Sequence, residues 1–596
     1  MKKSIILILA ATAGTALAAE ITVDASQGQT IQSALDQAKP GDTILVKPGI
    51  YPEQLVMKNS GEEGKPITLK SEVPRGAVLD GADPITGWKK VESAQALGGD
   101  NKNWAEIYYT EFPGAIEWSS ANLYELEILA SLAQDPRPAD PFYSDAKSTW
   151  RKVPSEGGGF TSTSITDPEV FNQKDPAYWD GAVIYTNAAN NNLFTMPITA
   201  FDPATSTVTF NDMRTAVDPA KTSYSVVNHT DFIRAPGDFA VKKNAEGPST
   251  IYYWPRDAKG LEAGNLRVST RKRAIDINQQ EYIHIIDFKI RQYAGADKAG
   301  AIYTSPFQQV NGIHVCGCEI LNCRSLDGNW VIFGGGFSGD SLIEGNYVHH
   351  NQFCRGIGVN GCKALNADGS TIRNNIVARS GHTAISMWQA SNGNVVGNLV
   401  MDSRGHHGNG LTFYLNCKNI VVDSNIVIRS NIALTMGAGG GPEGIAVTNN
   451  VFYSDRGERL VAIYGGSVIN FSRNTLVTGG LTVSVGETGR TFADNILGSW
   501  GYNVNNVEYK DEIATAKNNI VSFRHWNNTV NEYLLANGNT IETDLSKIFK
   551  DIKTGDLTRV PDGPLMEAGS PIRKIDLDPP KDPWAWMEKN RKQGGF

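Results

Sequence analysis

Long apolar runs are missing from this chain. After the first eighteen residues nothing approaches the roughly 20 apolar residues that a membrane-spanning helix needs. A helical membrane protein is excluded. Basic tracts are missing too, and with a formal net charge of −8 the composition excludes a nucleic-acid-binding role. Aromatic residues make up only 9% of the 596 positions. Cysteine is scarce: the six, at 316, 318, 323, 354, 362 and 417, form no paired CxxC motifs with zinc-binding spacing. No cofactor is expected, and calcium, the one metal left open, has no motif to hold it.

Turn formers are abundant instead. Sixty Gly and 27 Pro suit many tight turns rather than a bundle of helices. The opening MKKSIILILAATAGTALA has a basic start, a short apolar run and a small-x-small ending. It reads as a secretory signal cleaved between Ala18 and Ala19, which predicts a soluble protein that is secreted or periplasmic; a monomer is expected.

The strongest positive signal is a recurring asparagine. It falls at Asn346, Asn375, Asn398, Asn425, Asn450, Asn474, Asn495 and Asn519, at spacings of 29, 23, 27, 25, 24, 21 and 24 residues. Small or branched apolar residues usually follow it. A repeat of this length predicts a stacked architecture, with one coil of a parallel β-helix per repeat. Asn is expected at the turn both because it tolerates left-handed backbone and because stacked amides can bond from coil to coil. Cys318 occupies the same position one coil earlier. Disulfides and small buried stack-fillers both remain open for the cysteines.

The chain divides as follows. Residues 1–18 are the signal. An amphipathic helix in TIQSALDQAKPGD caps the first coils, together covering 19–87. Residues 88–270 lose the repeat and alternate short strands with Asp-Pro and Gly punctuation, as an inserted β-rich subdomain would. The helical coils then fill 271–525, and 526–596 is a Pro- and charge-rich extension packed outside.

Two sets of residues carry a resemblance. The opening KPGDTILVKPGIY, GKPITLKS and VLDGADPITGW resemble the start of parallel β-helix enzymes such as chondroitinase B and alginate lyases. The Gly-Trp after the first coils, LAQDPRP and IYYWP are similar to β-helix glycoside hydrolases of the β-xylosidase and α-fucosidase/xylanase type. The resemblance implies a right-handed parallel β-helix acting on a polysaccharide. These are scaffold motifs, and no catalytic residue is carried over from either group.

Used as a ruler, the asparagine aligns the coils. The longer strands RGIGVN, TAISMW, GLTFY, IALTM and LVAIY then turn Ile357, Val359, Ile385, Met387, Leu411, Phe413, Leu434, Met436, Val461 and Ile463 inward. Their outward partners include Gly358, Asn360, Ser386, Trp388, Thr412, Tyr414, Thr435, Ala462 and Tyr464, with His382 and His406 on the same face. Flat rings beside polar groups suit a sugar chain. Substrate contacts are expected from Trp388, Arg355, His407, Asn409, Arg404, Tyr464 and Ser386. Because neighbours on a strand face opposite sides, the pairs His349-His350 and His406-His407 are not expected to act as metal clamps. Arg324, Arg404, Arg456, Arg379 and Arg429 recur at fixed places in the turns, where they are either ordinary surface or anion contacts.

The reaction is not fixed by this pattern. Glycoside hydrolysis needs two carboxylates, and the outward strand positions contain none. The turns offer Asp402 beside His406, with Asp455 and Glu458 two coils on, while Asp327, Asp340 and Glu443 have no assigned partner. A hydrolase using Asp402, His406 and Glu458 is the leading expectation. A polysaccharide lyase is the alternative, with His382 or His406 as base, Tyr414 as acid and Arg355 neutralising a uronate. Non-catalytic glycan binding or adhesion is the third reading.

Overall fold

The computed structural model describes residues 18–594 apart from 113–121, 145–148, 155, 188–192, 245–246, 295–299, 325–329, 362–366, 438–439, 456–458, 485–488, 504–515 and 523–527. The signal segment up to Leu17, Asp327, Cys362, Arg456 and Glu458 lie outside the described residues.

The chain winds through three parallel sheets in turn. Sheet 1 runs in 13 strands from Glu20–Val23 to Ala516–Lys517, and sheet 2 in 13 from Gly49–Tyr51 to Thr540–Ile541. Sheet 3 has 11, from Leu55–Val56 to Ser499–Asn503. Each strand pairs in parallel with its counterpart one coil away. Along sheet 3, Ile357, Ile385, Leu411, Leu434 and Val461 lie in one column. That column and its neighbours Val359, Met387, Phe413, Met436 and Ile463 are buried in a single continuous core. The inward parity expected from the sequence is therefore observed: this is an all-β parallel solenoid.

The asparagine ladder runs between sheets 1 and 2. All eight residues are fully buried. In each, the backbone N–H and Nδ2 both donate to Oδ1 of the next rung: Asn398 to Asn425 at 3.0 and 2.9 Å, Asn425 to Asn450 at 2.8 and 3.0 Å. Nδ2 also donates to a strand carbonyl of the preceding coil, as from Asn425 to Val395 at 2.8 Å. The ladder reaches further than the repeat suggested. Cys318 N–H donates to Asn346 Oδ1 at 2.9 Å, and Asn519 donates to Asn539. The left-handed backbone, however, belongs to the residue before each rung: Asn374, Ser424, Asn449, Arg473, Asp494 and Asn518 have φ of 52, 54, 59, 53, 57 and 55°. Asparagine is required for its side chain, which satisfies buried backbone groups on two coils at once, and not for its own φ.

Cys316, Cys318, Cys323 and Cys417 are free, and burial pushes the Cys316 thiol up to about 12 and the Cys417 thiol up to about 11. Cys318, Cys323, Cys354 and Cys417 fill the core. Near the N-terminus, Thr30 caps the helix Ile31–Leu35, which buries Ile31, Ala34 and Leu35 in the same core. Among the described residues no helix is long and apolar enough to cross a membrane.

Two additions position the site. Strands 55–56, 67–71 and 77–80 pair directly with 275–276, 283–286 and 289–291. The chain between them loops out from a turn joining sheet 2 to sheet 3 and forms antiparallel sheets with a separate core around Phe171, Trp179 and Tyr224. It folds back over later turns of the same row. Gln352 Nε2 donates to the Pro141 and Phe142 carbonyls, Arg379 pairs with Asp140 at 2.8 Å, and Phe353 packs with Trp150, Val183 and Tyr185. The C-terminal segment covers the outer face of sheet 2, where Ile548, Phe549, Leu557, Ile575 and Met587 pack on Ile376, Leu399, Met401, Ile428 and Val451.

Candidate functional site

With sheet 2 covered by the tail, the outward face of sheet 3 carries several of the expected residues on one strip, termed the trough, beside the inserted sheets. Register brings Asn360, Trp388 and Tyr414 into one column. The rings of Trp388 and Tyr414 lie 6.1 Å apart, and the Tyr414 hydroxyl donates to Thr435 Oγ1 at 2.8 Å. Burial raises the Tyr414 pKa above its ordinary value, so the phenol keeps its proton.

Trp330, absent from the sequence-based site, organises this trough. Its ring meets Trp388 edge-on at 5.2 Å, and its indole N–H donates to Ser386 Oγ at 3.0 Å. It reaches Ser386 across Gly358, where a Cβ would lie 2.0 Å from Trp330 Nε1. Ser386 is fully buried as a result and supports the indole instead of meeting a ligand. Thr412 and Thr435 are outward by parity but buried as well. One signal could have found Trp330: counting from Cys318 as a rung adds this coil to the alignment.

Arg355 sits between the two tryptophans, its guanidinium 4.4 Å from the Trp330 ring centre and 5.3 Å from that of Trp388. Such contacts are worth about 2 kcal/mol when desolvated. Burial pushes its pKa down to about 10. The trough therefore presents a cation on an aromatic bed.

Three histidines gather beside it. The His382 ring is 6.4 Å from that of His406 and 5.3 Å from that of His407, while His406 and His407 are 4.6 Å apart. Strand alternation failed to anticipate this because His407 has φ of 52°, which turns its ring back. His350 does the same beside His349, at φ 54° and 5.1 Å between rings. Among the described residues no three His, Cys, Asp or Glu converge as metal ligands. His382 is held neutral: burial, then the charges of Arg355, His407 and His406, lower its pKa well below the ordinary value. Its Nδ1 accepts the Thr383 N–H at 2.8 Å, so the neutral ring carries its proton on Nε2. In that tautomer His382 offers the Nε2–H as a hydrogen-bond donor.

The other expected residues lie elsewhere. Arg429 clamps Asp402 with two bonds of 2.8 Å, and Arg404 approaches the same carboxylate at 3.4 Å. Arg404 also holds Asp455 at 2.9 Å. The Tyr143 hydroxyl donates to the Asp402 carbonyl, which puts this turn under the inserted sheets. Arg379 pairs with Asp140, and Arg324 is buried with its Nη1 on Asn122 at 2.8 Å. The four described arginines of the row are thus engaged in internal contacts, Arg324 and Arg379 with the segment between 88 and 270 and Arg404 and Arg429 with the carboxylates of neighbouring turns. Asn409 is buried, and Tyr464, 44% exposed, lies further along the solenoid with Arg459 5.6 Å from its ring.

The chondroitinase B family model matches residues 25–111. No curated protein matches the sequence. Among solved structures the chain is similar to a glycoside hydrolase at 13% identity, covering 82% of this chain and 97% of that one with a TM-score of 0.49. It is similar to XylC, solved with xylose, at 13% identity, 88% and 82% coverage and a TM-score of 0.44. A mannuronic acid-specific polysaccharide family 6 lyase from human gut microbiota gives 9% identity, 97% and 99% coverage and a TM-score of 0.37. The family-model match covers the first coils and the start of the segment that follows them.

Proposed function

We propose that the protein is an exported enzyme that degrades an acidic polysaccharide in the trough of sheet 3, by β-elimination at a uronate. One observation carries this reading: the Arg355 guanidinium lies between the rings of Trp330 and Trp388, a cation set on an aromatic bed. A uronate carboxylate would be recognised by that guanidinium, and its sugar ring would lie against the indoles. His406 takes the proton α to the carboxylate. Arg355 and the His382 Nε2–H bear the charge that develops on the carboxylate. The Tyr414 hydroxyl protonates the departing glycosidic oxygen as the C–O bond breaks and the ring gains a double bond. The match of the first coils to chondroitinase B supports a glycan substrate.

A hydrolase is the second reading, favoured by Asp402 and Asp455, which share the Arg404 guanidinium at 3.4 and 2.9 Å. The two differ in product. Incubating the protein with uronate-containing and sulfated glycans, while following reducing ends and far-ultraviolet absorbance together, separates them. Elimination raises both signals; hydrolysis raises reducing ends alone. Under the lyase reading Arg355→Lys lowers kcat/KM by about 100-fold, since a point charge replaces a planar, stacked fork. Asp402→Asn leaving activity intact would eliminate the hydrolase. Binding without new reducing ends would reject both in favour of adhesion.

A further inference from the structure

A second concavity lies in the antiparallel sheets between residues 88 and 270. A cavity of about 550 Å³ opens where the loops bearing Asp100, Glu169, Gln173, Trp179 and Asp231 converge. That volume is within the range of about 300–1,000 Å³ typical of small-molecule sites. Its aromatic side is rigid: the Trp179 ring meets Tyr178 edge-on at 4.9 Å and Phe171 at 5.2 Å.

The charges in its wall are already matched. Arg151 and Arg234 each hold Asp135 at 2.6 Å, while Asp231 accepts bonds from the Tyr178 hydroxyl and from Asp100 N–H, the latter at 3.2 Å. An anionic ligand would find no spare cluster of cations. The unmatched groups are of another kind. Trp179 Nε1, Gln173 Oε1, Asp231 Oδ1 and Arg151 Nε are buried and have no hydrogen-bond partner among the described residues. Trp179 itself is only 2% exposed. An unpaired buried polar atom costs about 1–3 kcal/mol, and native folds keep few of them. Four on the wall residues of one cavity, two donors and two acceptors beside flat rings, call for a ligand that donates and accepts at neighbouring atoms.

We propose that this cavity is a second carbohydrate-binding site, taking an uncharged, hydroxyl-rich sugar unit. Sugar hydroxyls both donate and accept, and an apolar sugar face suits the aromatic side. The site stands apart chemically from the cationic trough, and does not depend on the reaction assigned there. A protein with both would hold a polymer that carries neutral and acidic units.

The test is calorimetric titration of the full chain with glucose, galactose, mannose, xylose and their disaccharides, with galacturonate as the acidic comparison. At least one neutral sugar is expected to bind saturably. Glu169→Ala and Gln173→Ala, on an accessible loop, are expected to weaken it at least about tenfold with unchanged melting temperature. Trp388→Ala is expected to leave it intact. Absence of binding by every neutral sugar overturns the proposal. So does binding that survives both loop variants, that Trp388→Ala abolishes, or that galacturonate matches in affinity at the same loop.

Discussion

At the scale of single residues, the trough depends on one missing side chain. Gly358 leaves room for Trp330 to reach Ser386, and an added Cβ would stand 2.0 Å from the indole nitrogen. Gly358→Ala is therefore expected to expel Trp330, unseat Arg355 and cut kcat/KM by about tenfold or more, read by kinetics beside a melting curve that shifts little. A second prediction concerns acid. His284 and His314 stack at 4.0 Å on sheet 1, and burial together with the charge of His314 pushes the His284 pKa down to about 4. The unfolded chain protonates His284 near pH 6.5, the folded one only near 4. Stability from this group is complete above pH 6.5 and is lost as pH falls through that window. His284→Gln is expected to flatten the fall in melting temperature between pH 6.5 and 4.

Legibility from sequence also differed residue by residue. Trp388 and Tyr414 were readable because strand parity is strict once one rung of the ladder is known. Trp330 was not, because its coil begins at Cys318, a rung without the amide that marks the others. The surroundings of Asp402 were unreadable for a different reason. Its partners Arg429 and Arg404 come from the turns, and its cover, Tyr143, lies 259 residues away in the sequence. No local pattern reports a contact of that separation.

Among elements, the ladder is the most exacting. Asn425 accepts two bonds from Asn398 and donates to Val395 and Asn450. Asn425→Ala would strand the buried Asn398 N–H and the Val395 carbonyl on one neighbouring coil, while Asn450 Oδ1 on the other keeps the backbone N–H of residue 425 and loses one of its two bonds. The expected cost is about 3–5 kcal/mol, measured by denaturant unfolding and by faster hydrogen exchange at the Asn398 amide. The exposed Asn470, substituted in the same way, serves as the control and should cost little. The ladder was the legible part of the fold, since its spacing is written in the chain. The left-handed positions beside it were not, because Gly, Asn, Ser, Arg and Asp all fill them.

For the whole molecule, the C-terminal segment decides which faces meet solvent. The helix Pro583–Gly594 buries Met587 against sheet 2, and Asn590 Nδ2 donates to Asn374 Oδ1 and the Gly397 carbonyl at 3.0 and 2.8 Å. Removing residues 583–594 is expected to bare apolar surface around Leu399 and Met401. The measurements are enhanced binding of a hydrophobic dye and a lower melting temperature. An unchanged dye signal would mean that the helix adds nothing to the cover.

The same segment has a mechanical consequence. Thr540–Ile541 closes sheet 2 at the last rung, yet Trp584 lies 3.7 Å from the guanidinium of Arg75, beside the first coils. Some forty residues of chain thus run back along the outside and tie the two extremities of the stack to each other. An open array of repeats can peel from either end, one unit at a time. A stack laced from last coil to first cannot shed a terminal unit without also opening the lacing, so the extremities share their fate and the array melts as a closed ring of contacts.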